Sequence, residues 1–403
     1  MARGPTGRDP RLDFFRGIAM FIILIAHVPG NYWGRFIPAR FGPSDATEMF
    51  VFCSGFAAAI AFGGTFVRAG FLVGCLRIVY RCWQIYWAHI GVFFVIATIC
   101  FVATQAFVEP DYVRKLNLTR FFEDPGRGLV GLFTLTYVPN YFDILPMYFV
   151  VLLMTPILIA LKRLHIGAAI AFSVGLYLAV WLQGIALPAE WWSDRPWFFN
   201  PFAWQLLFFT GFALSAGWIK APPANRWLTI AAVAWVVLMI PLHWGPIWRD
   251  SETLQAIYAL VGAERMKTNF HWLRYLHFLA LAYLAVVLLK GREQALLAPV
   301  FAPILKVGQQ ALATFMAGMV FSWCAGIFLD QVGRSFVTTP AVNLVGFAWL
   351  IAVAYTVAWY KATPWKRRPA EAAAPRDGRE AERPAASGPS VPRVAARTVP
   401  AGE

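Results

Sequence analysis

The first apolar stretch of the chain, which reads RLDFFRGIAMFIILIAHVPGN from residue 11 to residue 31, carries ionisable side chains beyond its first residue. Asp13, Arg16 and His27 are expensive to bury in a bilayer, so each needs a reason. On a helix Arg16 and His27 share one face, about 16 Å apart along the axis, and Asp13 lies one turn before Arg16. Two interpretations stay open: Arg16 solvated near the headgroups with His27 bonded to a backbone carbonyl, or a polar site.

A second group of candidate residues opens the next apolar segment, SDATEMFVFCSG. Ser44 is a possible N-cap, and Asp45 and Glu48 fall in the first turn, where the helix dipole favours acids. The short loop from His27 places these carboxylates at the same membrane depth as the imidazole. Because a nearby carboxylate fixes the tautomer of a histidine and raises its basicity, we predict His27 as a general base oriented by Asp45, or by Glu48 in its place.

Two arginines mark the start of the third apolar segment. Arg77 and Arg81 are spaced i, i+4 on one helix face, and Gln84 extends that face. Two guanidinium groups side by side repel each other unless an anion neutralises them. Anchoring at the cytoplasmic interface by snorkelling explains the pair, and so does a clamp for a phosphate or a carboxylate.

A fourth group precedes and enters a later helix, where His271, Arg274 and His277 are spaced i, i+3, i+6. They are either interface residues or part of an external cavity that holds a substrate. Aromatic residues also crowd the predicted external ends, as an aromatic belt or as a platform for sugar rings. They are Trp33, Tyr141, Trp191, Trp192, Trp197, Trp244, Trp248 and Trp272.

The composition indicates a membrane protein. Of the 403 residues 59% are hydrophobic and 14% charged, and the mean hydropathy is +0.57. Apolar segments predict an all-α, polytopic helical bundle with about ten transmembrane helices, as a single domain over residues 1–365. Residues 366–403 are rich in Ala, Pro, Arg and Glu and lack periodicity, so we predict a disordered cytoplasmic tail.

The net charge of +14 follows from this topology. Lys and Arg gather in alternate loops and in the tail, as the positive-inside rule requires, which places both termini in the cytoplasm and disfavours nucleic acid as a partner. The five cysteines show neither CxxC spacing nor a histidine cluster, so we expect no metal site and no disulfide framework. Oligomeric state stays open.

The first segment, together with PARFGPSDATEMFVFCSG, RIVYRCWQIYWAHIG and YVPNYFDILPMY, resembles the OpgC family of inner-membrane proteins associated with succinylation of osmoregulated periplasmic glucans. The resemblance extends to about residue 365. More distantly, the chain is similar to the acyltransferase-3 and heparan-glucosaminide acetyltransferase-like group, which begins with a comparable D-x-x-R-G helix and a histidine near its far end.

The resemblance implies a multi-pass protein of the bacterial inner membrane that moves an acyl group from cytoplasmic acyl-CoA to a sugar hydroxyl in the periplasm. It gives His27 the place of the essential histidine, Arg16 that of the first-helix arginine, and Arg77 with Arg81 that of a paired-arginine motif. The pair here is spaced R-x-x-x-R, whereas acyltransferase-3 proteins usually have R-x-x-R.

His27 is then the general base, or a transient acyl carrier, and Arg16, Arg77 and Arg81 contact the donor phosphate or the succinyl carboxylate. Asp13, Gln84, His271, Arg274 and His277 complete the predicted substrate-binding set. Acyl-CoA, with succinyl-CoA preferred, is the donor substrate, and no permanently bound cofactor is expected. The alternatives are an acetyltransferase acting on another cell-surface polysaccharide and a non-catalytic glycan transporter.

Overall fold

The computed structural model describes residues 9–107, 110–260 and 267–365. Within these ranges the chain is helical and has no β-strand, which confirms the predicted all-α class. The predicted disordered tail, residues 366–403, lies outside the described residues. The α-helices are α1 (Pro10–His27), α2 (Ala46–Ala58), α3 (Gly64–Arg68), α4 (Phe71–Ala106), α5 (Tyr112–Lys115), α6 (Thr119–Glu123), α7 (Pro125–Thr134), α8 (Ile144–Leu164), α9 (Ile166–Gln183), α10 (Pro201–Ser215), α11 (Arg226–His243), α12 (Gly245–Trp248), α13 (Glu252–Leu260), α14 (Trp272–Leu289), α15 (Ala302–Gln309), α16 (Ala311–Val332) and α17 (Thr338–Lys361).

Eight helices in the described ranges are long and apolar enough to cross a membrane. One of them is continuous from Ala46 to Arg68, because a π-helical turn joins α2 to α3. The other two predicted spans correspond to α1, which carries three charged side chains, and to α10, which has 15 residues. A helical membrane bundle therefore fits the structure.

The first helix has clear start and stop signals. Asp9 caps its N-terminus by accepting a hydrogen bond from Arg11 N, and Pro10 occupies the first helical position, where a missing N–H costs nothing. The helix ends at His27 because Val28 precedes Pro29 and takes an extended conformation. His27 therefore occupies the last position of α1, 17 residues after its first residue.

Two glycines allow the short helix α15 to cross α1 in backbone contact. A Cβ atom on Gly17 would lie 2.1 Å from the carbonyl oxygen of Ile304, and one on Gly308 would lie 1.8 Å from the carbonyl oxygen of Asp13. No side chain fits at either position. This contact fixes the turn of α1 that carries Asp13 and Arg16.

We expect Gly308→Ala to destabilise the protein by about 1–3 kcal/mol, because the added methyl group forces α15 away from α1. Gly175→Ala is the matched control: Gly175 lies inside α9, and a Cβ there meets no atom within 4 Å. Thermal unfolding of both variants in the same detergent checks the prediction. Equal midpoints for Gly308→Ala and Gly175→Ala would contradict it.

Candidate active site

His27 is held in one tautomer by its own helix. Its Nδ1 lies 2.7 Å from the carbonyl oxygen of Ile23, which can only accept, so Nδ1 carries a hydrogen and, in the neutral imidazole, Nε2 carries the lone pair. In the described part of the chain no hydrogen bond engages Nε2. A neutral imidazole with a free Nε2 is the form that a general base needs.

The structure does not pair His27 with either of the carboxylates predicted to orient it. Neither Asp45 nor Glu48 forms a hydrogen bond with the imidazole within the described residues, because Lys267 and Arg274 engage both carboxylates. The backbone carbonyl of Ile23 provides the orientation instead. One interpretation of the sequence had His27 hydrogen-bonded to a backbone carbonyl, and the structure contains this bond. The bond leaves the other ring nitrogen available for an active site.

The carboxylates themselves form a buried ionic cluster at the start of α2. Asp45, and not Ser44, is the N-cap: its Oδ1 accepts from Thr47 N at 2.7 Å, and its own N–H donates to Glu48 Oε2 at 2.7 Å. The prediction that Ser44 caps this helix is wrong. This capping box leaves Oδ2 of Asp45 and Oε1 of Glu48 for other partners.

Two cations occupy those oxygens. Nε and Nη2 of Arg274 both lie 2.6 Å from Glu48 Oε1, Nη2 lies 3.4 Å from Asp45 Oδ2, and Nζ of Lys267 lies 2.6 Å from the same oxygen. Burial by itself raises the pKa of Asp45, but the positive charges of Lys267 and Arg274 outweigh it and hold that pKa below its usual range. Glu48 is fully buried, so this pairing keeps an intramembrane charge compensated.

Ser44 has a different partner. Its Oγ lies 2.7 Å from Nδ1 of His277, and His277 packs closely against Gly42, while its Nε2 is buried and has no partner among the described residues. His277 and Arg274 therefore connect α14 to the residues that open α2. His271 is separate from them: it caps α14 by accepting from Leu273 N at 3.2 Å.

Arg16 lies in the interior of the bundle. Its Nε is buried without a hydrogen-bond partner among the described residues, and Asp13 lies one turn before it on the same helix. The phenol of Tyr148, on α8, lies close to both Arg81 and Arg16. A buried N–H donor without an acceptor is costly, so a ligand oxygen at this position, such as that of an anion, explains the arrangement.

The other predicted residues of the inner end are placed as follows. Arg77 is exposed, donates to Thr65 Oγ1 and lies 5.9 Å from the ring centre of Phe62. Arg81 donates to Gln84 Oε1 at 2.9 Å. Within the described ranges no carboxylate neutralises Arg77 or Arg81, so their charge is available to an anion.

Asp13 is buried at the crossing of α1 and α15, where its carbonyl contacts Gly308. The structure thus places Asp13 beside the turn of Arg16, as the sequence predicts. Sequence reasoning missed Lys267 and Tyr148. Lys267 lies in a loop without a motif. Tyr148 ends the segment YVPNYFDILPMY, but a tyrosine in an apolar helix does not by itself indicate a role.

No group of three or more His, Cys, Asp or Glu side chains in the described residues could hold a metal ion. A narrow cleft between α1 and α16 reaches His27, and apolar side chains form most of its lining, with the hydroxyl groups of Thr314 and Ser322 among them.

Comparison with known proteins adds one finding. A family model described as OpgC protein matches residues 8–362, which is most of the chain. No curated protein and no solved structure gives a match.

Proposed function

Because this chain belongs to the OpgC protein family, whose members are glucan-modifying acyltransferases, we propose that it transfers a succinyl group from acyl-CoA to a hydroxyl of a periplasmic glucan. The observation that carries the proposal is the imidazole of His27, held by Ile23 with Nε2 unengaged. Arg16 lies on the same face of α1, about 16 Å from His27 along the helix axis, and we propose that it marks the donor end of the site.

The proposed reaction is a direct acyl transfer. Nε2 of His27 takes the proton of the acceptor hydroxyl while that oxygen attacks the thioester carbonyl carbon. The tetrahedral intermediate collapses, the carbon–sulfur bond breaks, and the thiolate of coenzyme A receives the proton from the imidazolium. The products are an ester on the sugar and free coenzyme A thiol.

Arg16 and Arg81 bind the anionic part of the donor in this proposal. The charges of both guanidinium groups act on the phenol of Tyr148, and Nε of Arg16 is buried without an acceptor among the described residues. Guanidinium forks suit a phosphate or the succinyl carboxylate. Arg77 adds positive charge at the inner end of the same helix as Arg81, where we propose that the nucleotide part of acyl-CoA docks.

The distribution of basic residues supports one orientation of the protein in the membrane. Arg163 donates to the carbonyl of Phe66, and Lys162 lies over the ring of Trp218, so the basic last turn of α8 lies beside α3 and beside the residues that follow α10. The helix that leads to α3 passes Arg16, since the charges of Arg16 and Asp13 act on Cys53 of α2. Under the positive-inside rule the basic end of α8 faces the cytoplasm. We propose an inner-membrane location with both termini cytoplasmic and His27 near the periplasmic face.

The carboxylate cluster has a positioning role. Arg274 is engaged by Glu48 and Asp45, and Ser44 bonds His277, so α14 is locked to the residues that open α2. His277 and His271 are proposed to line the acceptor side of the site. The cluster lies near His27, since the charges of Lys267 and Asp45 both act on the imidazole.

Mass spectrometry of periplasmic glucans from cells with and without this gene tests the proposed function. We expect a succinyl mass shift that is present only with the gene. An acetyl mass shift would instead identify an acetyl group as the one transferred. Identical glucans in both strains, with glucan transport changed, would favour a non-catalytic transporter.

Replacing Arg16 by glutamine is expected to raise the KM for acyl-CoA about 10- to 100-fold, because a charge-assisted hydrogen bond to the donor is lost. Arg16→Lys should restore part of the affinity, since the charge remains without the planar fork. Arg120→Gln is the control, because Arg120 is an exposed residue of α6. Initial rates at varied donor concentration measure the effect, and an unchanged KM in Arg16→Gln would contradict a donor role.

A further inference from the structure

Three aromatic rings lie in a row beside the proposed base. The ring centres of His27 and Tyr141 are 5.7 Å apart at an interplanar angle of 65°, and those of Tyr141 and Trp323 are 5.8 Å apart at 81°. Tyr141 therefore lies between the end of α1 and helix α16. Trp323 is buried, whereas Tyr141 is 46% exposed.

The backbone of Tyr141 is in an unusual conformation. Its φ angle is +71°, in the left-handed region that favours glycine and is an outlier for a bulky side chain. Such conformations persist where the surrounding structure holds them, and they cluster at functional sites. In this backbone conformation the aromatic ring of Tyr141 lies next to His27.

Trp323, which packs against Tyr141, carries an unused hydrogen-bond donor. Its indole Nε1 is buried and has no acceptor among the described residues. A buried donor without a partner is costly and calls for an explanation, such as an absent ligand oxygen. Ser322, the preceding residue, lines the cleft that reaches His27.

We propose that Tyr141, supported by Trp323, is the sugar-binding surface of the acceptor site and holds one glucosyl ring beside Nε2 of His27. The C–H groups on the face of a pyranose carry partial positive charge and pack on the negative face of an aromatic ring. The indole N–H of Trp323 donates to a hydroxyl oxygen of the same sugar. This inference rests on the proposed function, since it assigns the acceptor of that reaction.

The test uses unmodified glucan purified from cells that lack this gene, and measures its binding to the full-length protein without any donor. Tyr141→Leu removes the aromatic face and Tyr141→Phe keeps it. We expect Tyr141→Leu to weaken glucan binding about tenfold and Tyr141→Phe to leave it within about twofold of wild type. Trp227→Leu is the control, because Trp227 is exposed at the start of α11, near the opposite end of the bundle.

Tyr141→Gly distinguishes the loss of the aromatic ring from a folding defect. Glycine adopts a φ of +71° without strain, so this variant removes the ring and keeps the backbone. We expect it to unfold at or above the wild-type midpoint and to bind glucan as weakly as Tyr141→Leu. In turnover assays both variants should raise the KM for glucan and leave the KM for acyl-CoA unchanged.

The inference is overturned if Tyr141→Leu and Tyr141→Gly bind glucan as tightly as wild type, or if Tyr141→Phe is as weak as they are. Failure of the proposed function gives a different result. Wild-type protein would then bind glucan, with the same loss in Tyr141→Leu, but would transfer no acyl group from any acyl-CoA supplied. Measuring glucan binding without donor therefore distinguishes failure of this inference from failure of the proposed function.

Discussion

Replacing Arg274 with methionine is expected to destabilise the protein by about 3–5 kcal/mol, because the change leaves the Glu48 carboxylate buried without its partner. Glu48 has no exposed surface, and two guanidinium nitrogens contact one of its oxygens at 2.6 Å. The same change removes one of the two cations from Asp45. Thermal unfolding in detergent, read by circular dichroism, measures the loss.

Two comparisons make this test specific to the ion pair. The double variant Glu48→Gln, Arg274→Met should recover part of the lost stability, since no uncompensated charge remains. Arg120→Met breaks the exposed pair of Arg120 with Glu123 and should cost less than about 1 kcal/mol. If Arg274→Met unfolds at the wild-type temperature, the cluster is not the lock between α14 and α2.

Replacing His27 with alanine is expected to lower kcat for acyl transfer by about 10²- to 10⁴-fold, the usual contribution of a general base. Stability should change little, because the imidazole makes one hydrogen bond, to a carbonyl of its own helix, and is only half-buried. The KM for acyl-CoA should stay close to wild type, since the donor contacts are assigned to Arg16 and Arg81. Single-turnover rates in the purified protein separate chemistry from binding.

His165→Asn is the matched control for this variant. His165 is an exposed histidine that caps α9 by accepting from Gly167 N, and asparagine can keep that cap. We expect wild-type rates. A folded His27→Ala protein that keeps the wild-type kcat would remove His27 from the chemistry.

The polar stripe of α1 could be predicted from the sequence because it depends only on helix geometry. Asp13, Arg16 and His27 fall on one continuous helix that begins at Pro10 and ends at His27. The acid pair that opens α2 was also predictable, since S-D-x-x-E is a local capping pattern. The cap itself shifted by one residue, to Asp45, because Ser44 bonds His277.

The partners of these groups could not be predicted, because they come from distant parts of the chain. Arg274 is 226 residues from Glu48, and Lys267 is 222 residues from Asp45. Spacing rules describe one helix or turn and contain no information on such pairs. The Ile23 carbonyl took the role predicted for Asp45 or Glu48, because those carboxylates neutralise Lys267 and Arg274.

The left-handed backbone conformation of Tyr141 likewise could not be predicted from the sequence. Tyrosine has no preference for a positive φ, and the segment YVPNYFDILPMY contains no glycine that would signal one. The conformation is imposed by tertiary contacts, among them the packing of Tyr141 against Trp323. Aromatic composition alone predicted either a belt or a sugar platform and could not choose between them.

Acyl transfer across the bilayer by His27 is tested most directly in proteoliposomes. Unmodified glucan is enclosed in the lumen, succinyl-CoA labelled in its acyl group is added outside, and the label on the recovered glucan is counted for wild type and His27→Ala. We predict label on the enclosed glucan with wild type and its loss with His27→Ala. Equal labelling by both proteins, or no labelling while glucan itself crosses the membrane, would contradict this function.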